Sequence, residues 1–270
     1  MSARYGPKGD VRWRAAEEFP CPRRFERWIK RQIRNRSVHE DDFLILDRFP
    51  RAELLIIDAG SNIGNSAISC EVMVPNCRII GFEPMPSLTP LLELTRQFCG
   101  GFSYFSFGLS DHQTVAPLYI PIAGGRYIFG ESSMDLEHFS EPTVSDRLRS
   151  YSWTRRFALE ACELPFCRLD DVMEVRQACE VARTILFKID VEGAECSVLR
   201  GAGDILRQHH PVLLVENGER EAVRTLTDQF GYRRYIRTDD NKLVPADQHN
   251  AVNSFFALPA TIAALRLDRA

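Results

Sequence analysis

The sequence predicts an α/β protein with a mostly parallel β-sheet, as two patterns along the chain indicate. From residue 54 onward, short apolar runs alternate with stretches of helical periodicity. Continuous apolar strands separated by helices are typical of a parallel sheet that is covered on both faces. The last two runs have no long helical segment between them, so we expect a terminal antiparallel hairpin. The seven predicted strands are 54–58, 77–83, 102–109, 184–190, 211–217, 232–237 and 253–258.

Composition and charge exclude several classes of protein. The 270 residues are 44% hydrophobic and 26% charged, which suits a globular protein with one large core. A net charge of −3 gives no general attraction to nucleic acid. The N-terminus lacks the apolar core of a signal peptide, and no apolar run approaches the roughly 20 residues that span a bilayer. The scattered cysteines include no C-x-x-C pair, so we expect reduced thiols in a cytoplasmic protein.

Residues 1–50 are predicted to form a helical extension ahead of a main domain that covers 51–270. In "PRRFERWIKRQIRNR" apolar residues recur at helical spacing, while basic residues cover the other faces. The apolar residues are Phe25, Trp28, Ile29 and Ile33. We expect this stripe to pack on the main domain. Binding of phosphate, RNA or a membrane surface by the basic face is the alternative.

The turn after the first strand, within "LLIIDAGSNIGNSAIS", predicts a ligand site. Ligands of open α/β sheets bind beyond the carboxyl ends of the strands. Asp58 ends the strand, and Gly60 and Gly64 let the backbone approach a ligand closely. The spacing G-x-x-x-G differs from the G-x-G-x-x-G of dinucleotide binders, which disfavours a nicotinamide cofactor.

The next two strand ends add groups that suit a nucleoside. Glu83 ends the second strand about 20 residues after the glycine turn, where a carboxylate can accept both hydroxyls of a ribose. Ser110 and Asp111 follow the third strand, near the expected position of an adenine ring. Three consecutive strand ends thus predict one nucleoside site.

Six segments of the chain together carry a family resemblance. They are "IIDAGSNIGNSAIS", "IIGFEPMP", "FGLSDHQTVAPLYIP", "CRLDDV", "ILFKIDVEGAECSVLRGA" and "LLVEN". Across about 54–258 the chain resembles the FkbM-type methyltransferases, a branch of the class I S-adenosylmethionine-dependent enzymes. The resemblance implies a Rossmann-like class I methyltransferase sheet and methyl transfer from S-adenosylmethionine, typically to a hydroxyl of a sugar, glycan or natural product.

The resemblance also implies roles for the residues at the strand ends. The methionine-side loop consists of Asp58, Gly60, Asn62 and Gly64. Glu83 binds the ribose, and Ser110 with Asp111 flanks the adenine.

Methyl transfer to a hydroxyl needs a group that holds the acceptor oxygen and takes its proton. Asp190 ends the fourth strand beside the cofactor loop, so we expect it near the transferred methyl. Lys188 shares its strand face, and Glu192 starts the next helix. All three are catalytic candidates, with a structural alternative for Glu192 as an acid that stabilises the helix dipole.

Metal-dependent and metal-free mechanisms both remain open. Glu216 and Asn217 end the fifth strand, and with Asp190 they make an all-oxygen set that suits Mg²⁺. Without a metal, Asp190 is the expected base, and Glu216 can orient a substrate hydroxyl.

The segment 119–183, inserted before the fourth strand, is too long for a simple crossover and is expected to form an acceptor-binding lid. Ser132 and Ser133 offer hydroxyls there. The aromatic residues Tyr127, Trp153 and Phe157 could stack on a sugar ring or pack the segment's own core.

The expected acceptor is a small molecule or carbohydrate. Methylation of RNA or protein through the Arg-rich helix is an alternative that the negative net charge disfavours. A non-catalytic cofactor-binding partner module is a second alternative, against which the intact Asp190 and Glu192 argue.

Overall fold

In the computed structural model, which describes residues 22–216, 225–246 and 253–268, two β-sheets organise the chain. Within these ranges the larger sheet has eight strands and the smaller has four. The strands of the larger sheet are β1 (Leu54–Ala59), β2 (Arg78–Phe82), β3 (Phe102–Phe105), β8 (Thr184–Ile189), β9 (Val212–Glu216), β10 (Arg233–Arg237), β11 (Leu243–Pro245) and β12 (Asn253–Ala257). Those of the smaller sheet are β4 (Gly108–Leu109), β5 (Thr114–Ala123), β6 (Arg126–Tyr127) and β7 (Phe157–Cys167).

The larger sheet is parallel through β3, β2, β1, β8 and β9, in that spatial order. Strand β12 then pairs antiparallel with β9, and β10 pairs antiparallel with β12. The predicted α/β fold class, with its terminal antiparallel pair, is therefore confirmed. Because β1 lies between β2 and β8, the carboxyl ends of these three strands meet at one edge of the sheet.

Two details of the sheet differ from the sequence prediction. An eighth strand, β11, pairs with β10 at the sheet edge. The predicted third strand 102–109 divides in two, because the chain leaves β2 after Phe105 and joins β7 at Gly108. A Cβ atom on Gly108 would lie 2.3 Å from the Phe166 ring, so glycine permits this close crossing between the sheets.

The smaller sheet begins just before the segment predicted as an insertion, and together with the connection between β5 and β7 it occupies most of that segment. Its central pair, β5 and β7, runs antiparallel over ten residue pairs from Thr114 to Ala123. The connection between these two strands contains a short α-helix and two short 3₁₀ helices, Phe129–Glu131 and Glu137–Ser140.

Helices cover both faces of the larger sheet. They are α1 (Pro22–Asn35), α2 (Asn65–Met73), α3 (Thr89–Phe98), α5 (Met173–Val181), α6 (Glu195–Gly201) and α7 (Gly203–His209). Helix α4 (Pro142–Ser150) belongs to the β5–β7 connection, and α8 (Pro259–Leu265) follows β12. Every helix in the described ranges is too short or too polar to cross a membrane.

The core has two layers because side chains alternate across each strand. Ile56 of β1 packs in the cluster that contains residues of α1, α2 and α3. Its neighbours Leu55 and Ile57 pack in the cluster that contains residues of α5, α6 and α7. Full burial of each such aliphatic side chain contributes about 1.5–3 kcal/mol.

Helix α1 is part of the first layer. Phe25 and Ile29 are completely buried, and Trp28 stacks on Phe25 with ring centroids 5.6 Å apart. The basic residues Arg31 and Arg34 are exposed. The apolar stripe thus packs as its spacing indicates, and residues 1–21 of the expected extension lie outside the described ranges.

The "CRLDDV" segment has a structural explanation. Asp170 is buried and accepts hydrogen bonds from the backbone N–H groups of Asp204 and Ile205, at 3.0 and 3.1 Å. These groups belong to the first turn of α7, where backbone N–H groups have no partner within the helix. Asp170 therefore provides hydrogen-bond acceptors for the first turn of α7, and it connects the end of β7 to this helix.

Replacement of Phe25 tests the packing of α1. Phe25→Ala should lower the free energy of unfolding by about 3–5 kcal/mol, because it removes a fully buried ring. Arg31→Ala, on the exposed face of the same helix, should change it by less than about 0.5 kcal/mol. Urea unfolding followed by circular dichroism measures both, and equal small effects would show that α1 does not stabilise the domain.

Candidate active site

A cleft lies where β1, β2 and β8 end, and part of the smaller sheet and its connections cover it. Its apolar wall includes Phe82, Leu109, Leu118, Phe129, Met134 and Phe166. Its polar and glycine residues include Gly60, Asn62, Glu83, Ser132, Asp190 and Glu192. Six of the residues named from the sequence thus line one cavity: Gly60, Asn62, Glu83, Ser132, Asp190 and Glu192.

The turn after β1 depends on left-handed backbone conformations. Gly60, Asn62 and Gly64 have φ values of 81°, 49° and 89°. A Cβ atom on Gly60 would lie 1.9 Å from the carbonyl oxygen of Asp190, so only glycine lets the two strand ends meet. Gly64 directly precedes α2 and lies against the side chain of Thr95 in α3. It does not line the cleft.

Glu83 is fixed by two backbone hydrogen bonds. Its Oε2 accepts from the N–H of Asn62 at 2.8 Å, and its Oε1 accepts from the N–H of Met85 at 2.9 Å. Burial raises the pKa of Glu83 to about 7, and the two hydrogen bonds lower the pKa by less than burial raises it. Each oxygen still has a second lone pair, so the carboxylate can accept two hydroxyl hydrogens from a ligand in the cleft.

A buried ion pair lies beneath the cleft. Lys188 Nζ donates to Asp190 Oδ2 at 2.8 Å and lies 3.7 Å from Asp58 Oδ1. Burial acts to lower the pKa of Lys188, but the negative charges of Asp190 and Asp58 outweigh it and hold the pKa above its ordinary value. Asp58 is itself fully buried and does not line the cleft, so its contact is with Lys188.

Three carboxyl groups cluster at the end of β8 and β9. Oxygen atoms of Asp190, Glu192 and Glu216 lie within 4.8 Å of one another. Burial acts to raise the pKa of Asp190, but the charge and hydrogen bond of Lys188 bring it below its ordinary value. Burial, and then the charge of Asp190, raises the pKa of Glu216 to about 8. Burial, and then the charge of Glu216, raises the pKa of Glu192 to about 9.

These pKa values divide the cluster into two kinds of group. Asp190 is ionised at neutral pH, whereas Glu192 and Glu216 are mostly protonated unless a cation approaches them. Asn217, the third residue of the predicted magnesium set, lies outside the described residues.

The β5–β7 connection contributes Glu131 and His138, which the sequence did not single out, and Ser132, which it did. Glu131 accepts a hydrogen bond from Arg147 at 2.5 Å. His138 Nε2 lies 3.7 Å from Glu192 Oε2 and has no hydrogen-bond partner among the described residues. Ser132 Oγ is also buried without a partner there and borders the cleft. No motif marked Glu131 or His138, because only the folding of the connection brings them to the strand ends.

The N-terminal segment also reaches the site. His39 Nδ1 and Ser69 Oγ are 2.8 Å apart, and burial lowers the pKa of His39 to about 3, with the charge of Lys188 acting in the same direction. Burial raises the pKa of Glu40, and the charge of Lys188 opposes this effect. Asn253 donates to Glu40 Oε2 at 3.2 Å, which ties this segment to β12.

Ser110 and Asp111 lie beside the cleft, outside its wall. Ser110 is buried, its N–H donates to the carbonyl of Cys167 at 2.9 Å, and its hydroxyl donates to Asp111 at 3.4 Å. Asp111 also pairs with the exposed His112. The preceding residues, Gly108 and Leu109, border the cleft in their place.

The aromatic residues of the connection take different roles. Tyr127 donates to Glu160 at 2.7 Å, and Phe157 packs against a small cluster that contains Phe139. Trp153 is 96% exposed. Ser133 is buried and its hydroxyl accepts from the N–H of Asp135.

Comparison with known proteins gives relatives that include two named methyltransferases. The chain is 27% identical over 179 residues to methyltransferase sdnD of Sordaria araneosa, covering 63% of this chain and 68% of that protein. It is 24% identical over 202 residues to methyltransferase 1 of Beauveria bassiana, covering 68% and 74%. Over 246 residues it is 25% identical to the AMB antimetabolite synthetase AmbE of Pseudomonas aeruginosa, covering 78% of this chain but only 11% of that protein.

Among solved structures, the FkbM methyltransferase of Methylobacillus flagellatus matches with a TM-score of 0.44 and 13% identity. The match covers 92% of this chain and 63% of that one. The model of the methyltransferase FkbM domain matches residues 58–240, which contain the glycine turn, Glu83, Asp190 and Glu216. The chain therefore belongs to the FkbM methyltransferase family.

Proposed function

We propose that this protein transfers a methyl group from S-adenosylmethionine to a hydroxyl of a small molecule such as a sugar, a glycan or a natural product. Family membership supports methyl transfer. The observation that carries the site assignment is the contact between the Gly60 turn and Asp190, because it puts an ionised carboxylate beside the ligand-binding turn. The names of the fungal relatives, both methyltransferases, agree with this class of reaction.

The residues of the cleft suit the cofactor. The Gly60 position leaves no room for a side chain, Glu83 presents two oxygens to a ribose, and Phe82 and Leu109 offer an apolar wall to an adenine. When bound, S-adenosylmethionine supplies a methyl group on a positively charged sulfur. The expected roles of Ser110 and Asp111 then become indirect, as supports for the backbone at Leu109.

The chain's own groups hold the acceptor and take its proton. S-adenosylmethionine held by the Gly60 turn and Glu83 would supply its methyl group to the acceptor oxygen and would keep the electron pair of the broken carbon–sulfur bond on sulfur. Asp190 accepts a hydrogen bond from the acceptor hydroxyl and receives its proton as the new bond forms. Lys188 holds Asp190 in position and keeps it ionised between turnovers.

The smaller sheet and its connections form the acceptor side of the cleft in this proposal. Phe129, Ser132 and Met134 line the cleft from that side, and the hydroxyl of Ser132 is free to bind a polar acceptor group. Helix α1, which the RNA or protein alternative requires, contributes no described residue to the cleft lining.

We favour a metal-free mechanism over one that uses Mg²⁺. Lys188 already occupies one oxygen of Asp190 at 2.8 Å, so a cation at that carboxylate would face an ammonium group. Glu216, the second of the predicted magnesium ligands, has a pKa of about 8. A metal that requires its ionised form must displace a proton at neutral pH, and this weakens metal binding.

Cofactor choice is tested by calorimetry. S-adenosylmethionine should bind and NAD should not. Glu83→Gln should weaken S-adenosylmethionine binding by about 1.5–3 kcal/mol, because it removes a charged acceptor of the ribose hydroxyls. The control Glu93→Gln, on an exposed carboxylate that pairs with Arg96, should leave the affinity unchanged. Binding of NAD without S-adenosylmethionine would contradict the proposal.

Replacement of Asp190 tests the chemistry. Asp190→Asn should leave cofactor affinity within a few fold and lower turnover by about 10²–10⁴, because a positioned base is lost. Asp171→Asn, which changes an exposed carboxylate, is the matched control. Labelled methyl transfer to a panel of sugars, glycans and polyketides measures turnover, and full activity of Asp190→Asn would remove Asp190 from the mechanism.

Chelation separates the two mechanisms. Activity should persist in EDTA, because the proposed base needs no metal. A loss that added Mg²⁺ restores, reproduced by Glu216→Gln, would instead establish the metal-dependent route.

A further inference from the structure

The acceptor end of the cleft contains more carboxyl groups than cationic side chains can neutralise. Asp190 and Glu192 line the cleft there, Glu216 lies next to them outside its lining, and Glu131 lies close to Glu192. Among the described residues, Lys188 is paired with Asp190 and Asp58, and Arg147 is paired with Glu131. Glu192 and Glu216 therefore have no lysine or arginine partner in the described part of the chain.

A buried histidine faces the same group of acids. The side chain of His138 is 10% exposed, and its Nε2 has no hydrogen-bond partner in the ranges that the structure describes. This atom lies 3.7 Å from Glu192 and, together with ligand atoms of Glu131 and Glu192, within a span of 4.8 Å. A buried polar atom without a partner costs free energy, so its position indicates that a ligand group completes it.

The arrangement suits a ligand that donates several hydrogen bonds and carries a positive charge. Oxygens that surround a tetrahedral ammonium at hydrogen-bond distances of about 2.8 Å lie about 4.6 Å apart. Oxygens of Asp190, Glu192 and Glu216 lie no more than 4.8 Å from one another, which is close enough for one ammonium to contact more than one of them. A neutral hydroxyl would leave Glu192 and Glu216 protonated, whereas an ammonium would stabilise their ionised forms and be neutralised by them in the buried site.

We propose that the acceptor is an amino alcohol in the broad sense, such as an amino sugar, and that Glu192 and Glu216 bind its ammonium group. His138 closes this subsite from the β5–β7 connection, and the neighbouring hydroxyl of the acceptor then meets Asp190. This inference rests on the proposed function and adds the chemical class of the acceptor. The uncharged polyol and a divalent cation are the competing occupants.

Two small probes that differ in one group test the charge preference. 2-Amino-1,3-propanediol and glycerol have the same carbon skeleton and differ by an ammonium in place of one hydroxyl. Each is titrated into the full-length protein, both free and saturated with S-adenosylhomocysteine, and binding is followed by NMR chemical shifts. The amine should bind at least ten times more tightly than glycerol and should shift the resonances of His138 and of the turn after β8.

Variants connect the binding to the subsite. Glu192→Gln and Glu216→Gln should each weaken binding of the amine about tenfold and leave S-adenosylmethionine affinity within a few fold. Glu137→Gln, beside His138 on an exposed carboxylate, should change neither affinity. Circular dichroism spectra and melting temperatures confirm that each variant is folded.

The outcomes distinguish the occupants. Equal binding of glycerol, or no binding of the amine, would overturn the ammonium subsite. Tight binding of Mg²⁺ or Mn²⁺ alone, lost in Glu192→Gln, would replace it with a metal site. If S-adenosylmethionine does not bind while the amine does, the proposed methyl transfer fails and the subsite stands; the reverse result preserves methyl transfer and rejects the subsite.

Discussion

The architecture of the site depends on the buried charge of Lys188. This ammonium lies in the middle of the parallel sheet, where an unpaired charge would be strongly unfavourable, and it is stabilised by Asp190 and Asp58. The same contact keeps Asp190 ionised among acids whose pKa values are raised. Because Asp58 is the next-to-last residue of β1 and Asp190 follows β8, the ion pair also holds together two of the strand ends that form the cleft.

Three separate parts of the chain contribute to the site around this ion pair and the neighbouring acids. The parallel sheet supplies the glycine turn, Glu83 and the acids of β8 and β9. The β5–β7 connection supplies Glu131, His138 and Ser132, and the N-terminal segment supplies His39 and Glu40 near Lys188. In class I folds the sheet end forms the ligand site, and segments added to it determine which molecules fit. The proposed acceptor end of the cleft thus combines residues that follow the sheet strands with residues of the β5–β7 connection.

The predictions from sequence succeeded where a local pattern has a local physical cause. Strand and helix periodicity located the seven strands, because burial on two faces leaves a continuous apolar run. The sequence also pointed to Gly60, Asn62 and Glu83, which all line the cleft. These residues follow neighbouring parallel strands, whose carboxyl ends lie side by side. The edge strand β11 was missed, since three residues give too short a pattern, and the crossing at Gly108 depends on a contact with Phe166 that is distant in sequence.

The sequence by itself determined the sheet, the family and the strand-end residues, because these follow from periodicity and spacing along the chain. Only the tertiary structure decided which charges meet. Lys188 and Asp58 are 130 positions apart, and His138 and Glu192 come from different layers, so their distances depend on how the segments fold against one another. The pKa values of Glu192 and Glu216 were likewise beyond the sequence, because burial and neighbouring charge set them.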